Sequence, residues 1–234
     1  MGQAREFLFL NSKDDPLQTK ISINITWHAP QKYWYKLNID GAYKNGAKNL
    51  GLGGVFTDHI GTWIIGFQRQ HTTISPLHTE LQAIYDGLLL AIKFKLFPLE
   101  VETDSTEAIN AIQRDHLVCS NIVHACRSLM HQQKDLRFRH NFRKGNHVAH
   151  LRTKDATINN FKQFSLDNPK LHAIPPLFVK QQLTMEQNGA CLFAKSLPTT
   201  ACNMLRTLGN QNIACDNPSM CGNFSTTCNK VNDF

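Results

Sequence analysis

The chain has 234 residues, with 25 lysines and arginines against 18 aspartates and glutamates, and a formal net charge of +7. This length allows one ordinary domain with long ends or two small ones, and the positive charge favours a polyanionic partner without distinguishing a nucleic acid from an acidic membrane surface. No apolar stretch approaches the roughly 18 residues of a membrane span, and the apolar run at residues 8–10 is too short for a secretory signal peptide, so we predict an intracellular protein, nuclear or cytoplasmic.

The seven cysteines are unevenly placed, and five of them follow residue 190. No two are spaced as in the C-x-x-C pairs of zinc sites, which disfavours a structural zinc ion. In an intracellular chain, free thiols are favoured over disulfides.

Three strands are the first predicted elements. From Tyr35 apolar and polar residues alternate as far as Asp40, and Gly41 ends this strand. A glycine-rich hinge leads into a second strand at residues 55–57, and residues 62–67 form its hairpin partner. The hinge glycines are Gly51, Gly53 and Gly54. We expect the three strands to be antiparallel.

A long helix follows the hairpin. Ser75 and Pro76 are typical of a helix N-terminus, and apolar residues recur at helical spacing from Leu77 to Ile92. Pro98 ends the helical pattern. Residues 99–103 alternate as a fourth strand, and the serine that follows is placed to cap a short helix.

The remaining elements complete an α/β pattern. A helix from Ile122, a fifth strand from Leu136 to His140 and a brief helix over residues 147–154 follow in order. This order predicts a mixed five-stranded sheet, its first three strands antiparallel, flanked by helices. We assign residues 34–154 to this domain, residues 1–33 to an N-terminal extension, and residues 155–234 to a largely irregular tail, because no sustained apolar period remains there.

Three acids stand near the ends of predicted elements: Asp40 on the first strand, Glu80 in the first turn of the long helix, and Asp104 after the fourth strand. Each could have an ordinary role in a turn, at a helix terminus or as a cap. If the first and fourth strands are neighbours, however, the three carboxylates converge, and converging carboxylates normally need a cation. Oxygen ligands suit Mg²⁺ or Mn²⁺, and a pair of such ions is common where a phosphodiester is attacked in line. We therefore predict a two-metal site.

Four motifs occur in an order and spacing that point to a family. They are residues 36–42 (KLNIDGA), 53–56 (GGVF), 80–83 (ELQA, with Gly87 and Leu88) and 101–105 (VETDS). Together they resemble the ribonuclease H domains of plant reverse-transcriptase-like proteins derived from retroelements. The resemblance covers roughly half of the chain, and residues 27–30 and 174–176 are similar to flanking segments of that family.

This resemblance implies that Asp40, Glu80 and Asp104 are catalytic metal ligands for hydrolysis of the RNA strand of an RNA–DNA hybrid. It also implies that His140, six residues before Asn146, is the mobile histidine that assists proton transfer or product release. The family places a fourth metal-binding aspartate four residues after this asparagine, and here that position is His150.

The histidine at this fourth metal position changes the expected activity. Imidazole is a poor ligand for Mg²⁺, so we expect weak binding of the second metal and reduced or Mn²⁺-biased activity, with His150 an inert replacement rather than a new ligand. Asp155 should not compensate, because it lies on another side of the helix. Residues 151–154 also replace the Leu-Ala continuation of the family.

Basic residues next to this segment predict a nucleic-acid contact. We expect Arg139, Arg143, Lys144 and Asn146 to bind an RNA–DNA hybrid or other nucleic acid, although an ordinary solvated face is the alternative. No membrane contact and no small-molecule cofactor are expected, and we expect a monomer.

Two other functions stay open. The first is a catalytically inactive nucleic-acid-binding module of retroelement origin, which His150 favours. The second is an unrelated α/β protein, such as a small-ligand enzyme, whose carboxylates coincide by chance. Against the second, no glycine-rich phosphate loop joins a strand to a helix.

Overall fold

The computed structural model describes residues 19–42, 50–72, 75–114, 116–158, 169–188, 193–213 and 224–225. Its strands are β1 (Lys20–Ile25), β2 (Tyr35–Ala42), β3 (Leu50–Thr57), β4 (Trp63–His71), β5 (Leu99–Thr103), β6 (Leu136–His140), β7 (Lys170–His172), β8 (Phe193–Pro198) and β9 (Phe224–Ser225). Its α-helices are α1 (Pro76–Phe94), α2 (Thr106–Arg114), α3 (Ser120–His131), α4 (His147–Ile158), α5 (Leu177–Gln187) and α6 (Thr199–Thr207), and a short 3₁₀ helix, Leu117–Cys119, precedes α3.

Seven strands form the main sheet, in the order β7-β4-β3-β2-β5-β6-β9. Strands β2, β3 and β4 are antiparallel neighbours, whereas β5 pairs in parallel with both β2 and β6. The predicted five-stranded mixed sheet with three antiparallel strands at its start is therefore present, and β7 and β9 extend it at its two edges.

Helix α1 covers one face of this sheet. Its cap is as predicted, because the Ser75 hydroxyl accepts a hydrogen bond from His78 N–H at 3.1 Å and Pro76 is the first helical residue. Leu81 and Ile84 are completely buried and pack against Leu37 of β2 in the largest core cluster. The first turn of α1 contains no acidic residue, which corrects the predicted position of Glu80 by one turn.

The three glycines that were predicted to form a hinge lie inside β3 instead. A Cβ atom at Gly51 would stand 2.2 Å from the carbonyl oxygen of Thr153 and 2.6 Å from the hydroxyl of Thr157. Only a residue without a side chain allows α4 to lie this close to β3. Gly51 therefore reflects the packing of α4, which carries the predicted fourth metal position, whereas a Cβ atom at Gly53 or Gly54 would meet Phe67 of β4.

A smaller unit joins the two ends of the chain. Strands β1 and β8 pair in antiparallel fashion, and α6 follows β8 directly. Their buried apolar side chains form a second cluster, which includes Ile23, Ile25 and Leu205 and also takes in Phe142 from the loop after β6. The predicted irregular tail does not hold for the described residues, since α5, β8 and α6 lie within it.

A hydrogen bond from Asn212, which follows α6, links this unit to the loop after β6 of the main sheet. The side chain of Asn212 accepts from Thr26 N–H at 2.7 Å and donates to the Asn141 side chain at 3.0 Å.

Lys36 of the main sheet is completely buried and forms ion pairs with Glu100, at 2.9 Å, and with Glu102. Burial alone would lower the pKa of Lys36, but the two carboxylates raise it.

Among the helices of the described residues, none is both long enough and apolar enough to cross a lipid bilayer.

Candidate metal centre

Asp40, Glu80 and Asp104 meet at one place. One carboxylate oxygen of each lies within 4.8 Å of the others, and all three side chains are buried. The convergence predicted from the sequence is thus what the structure has. Three carboxylates this close repel one another unless a cation or protons compensate their charge.

Strand pairing explains how two of these acids come together. Strands β2 and β5 are parallel neighbours, with Asn38 opposite Glu102. Two residues further along each chain, Asp40 is near the end of β2 and Asp104 follows β5, so both acids lie at the same edge of the sheet.

Close packing of α1 on β2 brings in the third acid. A Cβ atom at Gly41 would stand 3.0 Å from the backbone nitrogen of Glu80 and 3.0 Å from Thr79. The glycine next to Asp40 therefore lets α1 approach β2, and this contact places Glu80 beside Asp40.

The two oxygens of the Asp40 carboxylate differ. Oδ2 lies 3.0 Å from Nδ1 of His150 and accepts a hydrogen bond from the Thr153 hydroxyl at 2.6 Å. Oδ1 is buried and has no hydrogen-bond partner among the described residues. Burial alone would raise the pKa of Asp40, but the hydrogen bonds from His150 and Thr153 and the charges of His150 and Arg143 lower it. Asp40 is thus held as a carboxylate with one oxygen available.

His150 is in contact with the site without belonging to the acid cluster. Its ring is partly exposed, and Nη2 of Arg143 lies 3.1 Å from its Nδ1. The group whose ligand atoms lie within 4.8 Å of one another consists of the three acids and does not include His150. That His150 is an inert replacement and not a metal ligand stays a prediction, whereas its contact with Asp40 was not predicted.

His140 occupies a different environment from the one that the resemblance implied. It is the last residue of β6, and its ring is buried edge-on against Phe142 at 5.5 Å between centroids. The Asn210 side-chain oxygen accepts from Asn212 N–H at 2.9 Å, so its amide nitrogen faces the histidine and donates to Nδ1 at 2.7 Å. A buried ring held in this way does not support a mobile role, and the catalytic role of His140 stays a prediction.

The predicted nucleic-acid contacts divide into two groups. Arg143 and Lys144 are exposed, and Arg143 contacts His150. Arg139 is largely buried and donates to Glu100 at 2.6 Å, so its charge is already paired. Asn146 is buried and donates to the carbonyl oxygen of Ile39 at 2.6 Å, so it joins the start of α4 to β2.

Asp155 lies away from the three acids, as expected. Its carboxylate accepts a hydrogen bond from the Gln68 side chain at 2.8 Å, on β4. It therefore does not replace the missing fourth acid.

Thr153 was not identified from the sequence as a site residue. It lies three residues after His150 on α4, and residues at this spacing share one face of a helix. That spacing would have placed the Thr153 hydroxyl next to any group that His150 contacts.

The acids suit a divalent cation. All three offer hard oxygen ligands of the kind that Mg²⁺ and Mn²⁺ prefer. The buried Oδ1 atom of Asp40, without a hydrogen bond from the described residues, is an orphaned acceptor that a cation would satisfy.

Comparisons with known proteins agree with this architecture. Residues 38–156, about half of the chain, match the family described as "Reverse transcriptase-like". A protein of Arabidopsis thaliana named "Putative ribonuclease H protein" is 29% identical over 135 residues, which are 56% of this chain and 22% of the relative. The chain therefore spans about a fifth of the length of that relative.

Three solved structures are similar to this chain, and the first of them, with a TM-score of 0.50, shows the fold. Ribonuclease H1 LC11, isolated from compost by a metagenomic approach, is 19% identical, with a TM-score of 0.50 over 53% of this chain and 96% of its own. A second crystal structure of LC11, in complex with an RNA/DNA hybrid, has a TM-score of 0.48, 19% identity and the same coverage. Ribonuclease H1 of the archaeon Halobacterium salinarum is 17% identical, with a TM-score of 0.49 over 52% of this chain and 96% of its own. The family match and the sheet order together show that this chain belongs to the reverse transcriptase-like family of ribonuclease H domains.

Proposed function

We propose that this protein is an endonuclease of the ribonuclease H type, which hydrolyses the RNA strand of RNA–DNA hybrids with Mg²⁺ or Mn²⁺. The observation that carries the proposal is the convergence of Asp40, Glu80 and Asp104, whose oxygens lie within 4.8 Å of one another in a buried position. Family membership supports the same reaction, as does the name of the plant relative.

The three acids would hold the cation. Asp40 offers Oδ1, which has no hydrogen bond from the described residues, and Glu80 and Asp104 offer one oxygen each. When bound there, a divalent cation polarises a phosphodiester and favours ionisation of water. The protein positions the ligands, because β2, β5 and α1 are fixed by sheet pairing and by the close approach at Gly41.

Exposed basic side chains next to the site would bind the substrate backbone. Arg143 and Lys144 lie in the loop before α4, and the Arg143 guanidinium reaches His150. Phosphate contacts from such residues orient a nucleic acid without reading its sequence. A hybrid duplex fits this role, and LC11 has been crystallised with one.

A hybrid-cleavage assay tests this proposal. The full chain is incubated with an RNA–DNA hybrid in Mg²⁺ and in Mn²⁺, alongside Asp104→Asn and the matched control Asp135→Asn, whose side chain is exposed. We expect Asp104→Asn to lose at least about 100-fold in rate, since even the partners of metal ligands typically contribute 10–100-fold. Asp135→Asn should cut at the wild-type rate. Cleavage that survives Asp104→Asn would sink the proposal.

One observation favours a second candidate function, a nucleic-acid-binding module without catalysis. His150 stands where the family has its fourth acid, and it binds Asp40 instead of leaving it free. In that case the chain binds the hybrid and does not cut it with either metal. Cleavage that appears only in His150→Asp, by a gain on the order of tenfold or more, would identify this residue as the cause.

A further inference from the structure

We propose that the site holds a single divalent cation, because His150 and Thr153 engage the oxygen of Asp40 that a second cation would need. This inference rests on the proposed function, since it concerns the same three acids. A weakened two-metal site would still offer a position for a second cation. Here, protein side chains take up the Asp40 oxygen that such a position would need.

Asp40 is the residue through which two cations could be joined, because a carboxylate can give one oxygen to each. Its Oδ2 is already engaged by two side chains of α4, His150 at 3.0 Å and Thr153 at 2.6 Å. A carboxylate oxygen has about two lone-pair positions, so the Thr153 hydroxyl and a protonated Nδ1 of His150 together fill Oδ2. Only Oδ1 is left for a cation.

The contacts on Oδ2 are part of the fold and not of a loose surface. Thr153 is completely buried, and its helix lies directly against Gly51 of β3. Asn146 holds the start of the same helix to Ile39, the residue before Asp40. A second cation on Oδ2 would have to displace the Thr153 hydroxyl, which this packing keeps in place.

Charge balance gives an independent reason for one cation. Three carboxylates carry a formal charge of −3, and one divalent cation leaves −1. The exposed Arg143 guanidinium, protonated at neutral pH, lies against the ring that contacts Asp40 and supplies positive charge beside the remaining −1, as does His150 when it is protonated. A second divalent cation would turn the balance positive and would lie next to Arg143.

Counting bound Mn²⁺ tests this inference without any measurement of catalysis. The metal-free full chain is titrated with Mn²⁺, and free Mn²⁺ is followed by electron paramagnetic resonance. The variants are His150→Asp, which offers an acid at the disputed position, and Asp104→Asn, which removes a ligand. His124→Asp, an exposed histidine on α3, is the matched control for the same chemical change.

We expect one Mn²⁺ per wild-type chain and per His124→Asp chain, two per His150→Asp chain, and loss of the site in Asp104→Asn. Two Mn²⁺ in the wild type, both lost or weakened in Asp104→Asn, would overturn the inference and leave the proposed function standing. A single Mn²⁺ in both the wild type and a folded His150→Asp chain would also overturn it. No bound Mn²⁺ in the wild type would remove both proposals. If His150→Asp does not fold, the wild-type count alone decides between one cation and two.

Discussion

Arg152 of α4 is a charged residue in a position that suits an apolar one. It is completely buried, and none of its three guanidinium nitrogens has a hydrogen-bond partner among the described residues. Burial lowers the pKa of this guanidinium to about 10, although the charge of Asp155 opposes the shift. Removing a charge from water without pairing it costs several kcal/mol, so we expect Arg152 to destabilise the folded chain.

Replacing this side chain should therefore stabilise the protein. We expect Arg152→Met to raise the free energy of unfolding by about 1–4 kcal/mol, measured by chemical denaturation at neutral pH. The control Lys154→Met, at an exposed position of the same helix, should change it by less than about 0.5 kcal/mol.

The pH dependence of this gain has a definite sign. A basic group whose pKa is lowered in the folded state destabilises that state at neutral pH, and this cost begins to fall only when the pH exceeds the folded-state pKa of about 10. The advantage of Arg152→Met should narrow above that pH. A less stable Arg152→Met variant would show that the guanidinium has a partner in the folded protein.

At this site the sequence could identify the residues whose chemistry belongs to a local motif. The three acids could be identified because each stands in its own motif at an element end. The contact of His150 with Asp40 could not be identified, because it depends on how closely α4 packs on β3. The approach of Gly51 to Thr153 determines that distance. The burial of Arg139 and Arg152 was missed for a similar reason, since a basic residue in a sequence does not show which side chains surround it.

Helix α5 contains a second buried ionisable side chain. Glu186, near its C-terminus, is buried, and burial raises its pKa to about 8. Hydrogen bonds from the Gln182 side chain, at 3.2 Å, and from the backbone of Val148 only partly oppose this. The docking of α5 against α4 therefore keeps Glu186 protonated at neutral pH.

This placement predicts a pH-dependent stability. Between about pH 5 and pH 8 the folded chain keeps a proton on Glu186 that the unfolded chain has lost, so the free energy of unfolding falls as the pH rises. Relative to Glu186→Gln, the wild type should lose on the order of 3 kcal/mol across this window. Chemical denaturation at several pH values measures this loss of the free energy of unfolding, with Glu107→Gln on α2 as the control. Curves for the wild type and Glu186→Gln that stay parallel would contradict the assignment.

Elements were predictable where their own residues carry the pattern. Helix α1 has a capping serine, a proline in its first position and many apolar residues at helical spacing, and β2 has clean alternation. Helix α5 buries little apolar surface of its own, mainly Val179 and Leu183, so its period is weak. Strand β8 pairs with β1, which lies more than 160 residues earlier, and a local pattern cannot predict such a partner.

Fewer of the basic side chains are exposed to solvent than the composition of the molecule suggests. Lys36, Arg69 and Arg152 are buried, and Arg69 forms an ion pair with Asp86. Arg139 is also largely buried beside Glu100. Arg143, which contacts His150, and its chain neighbour Lys144 are exposed basic residues in the loop before α4.

A nucleic acid that binds there should show this in its salt dependence. Each phosphate contact contributes about one unit to the slope of the logarithm of affinity against the logarithm of salt concentration. We expect Lys144→Ala to weaken hybrid binding and to reduce this slope by about one, measured by fluorescence anisotropy with Ca²⁺ in place of Mg²⁺ to prevent cleavage. Lys144 is preferable to Arg143 for this test, because Arg143 also contacts His150.

Lys93→Ala is the matched control for this charge change. Lys93 is exposed in the last turn of α1, at the opposite end of that helix from Glu80. A protein that attracts the hybrid only through its net charge of +7 would respond almost equally to the two substitutions, because each removes one positive charge. If the hybrid binds over the three acids, the salt dependence of its affinity should become less steep in Lys144→Ala and stay unchanged in Lys93→Ala. Equal slopes in both variants would place the hybrid elsewhere on the surface and would separate nucleic-acid binding from the metal centre.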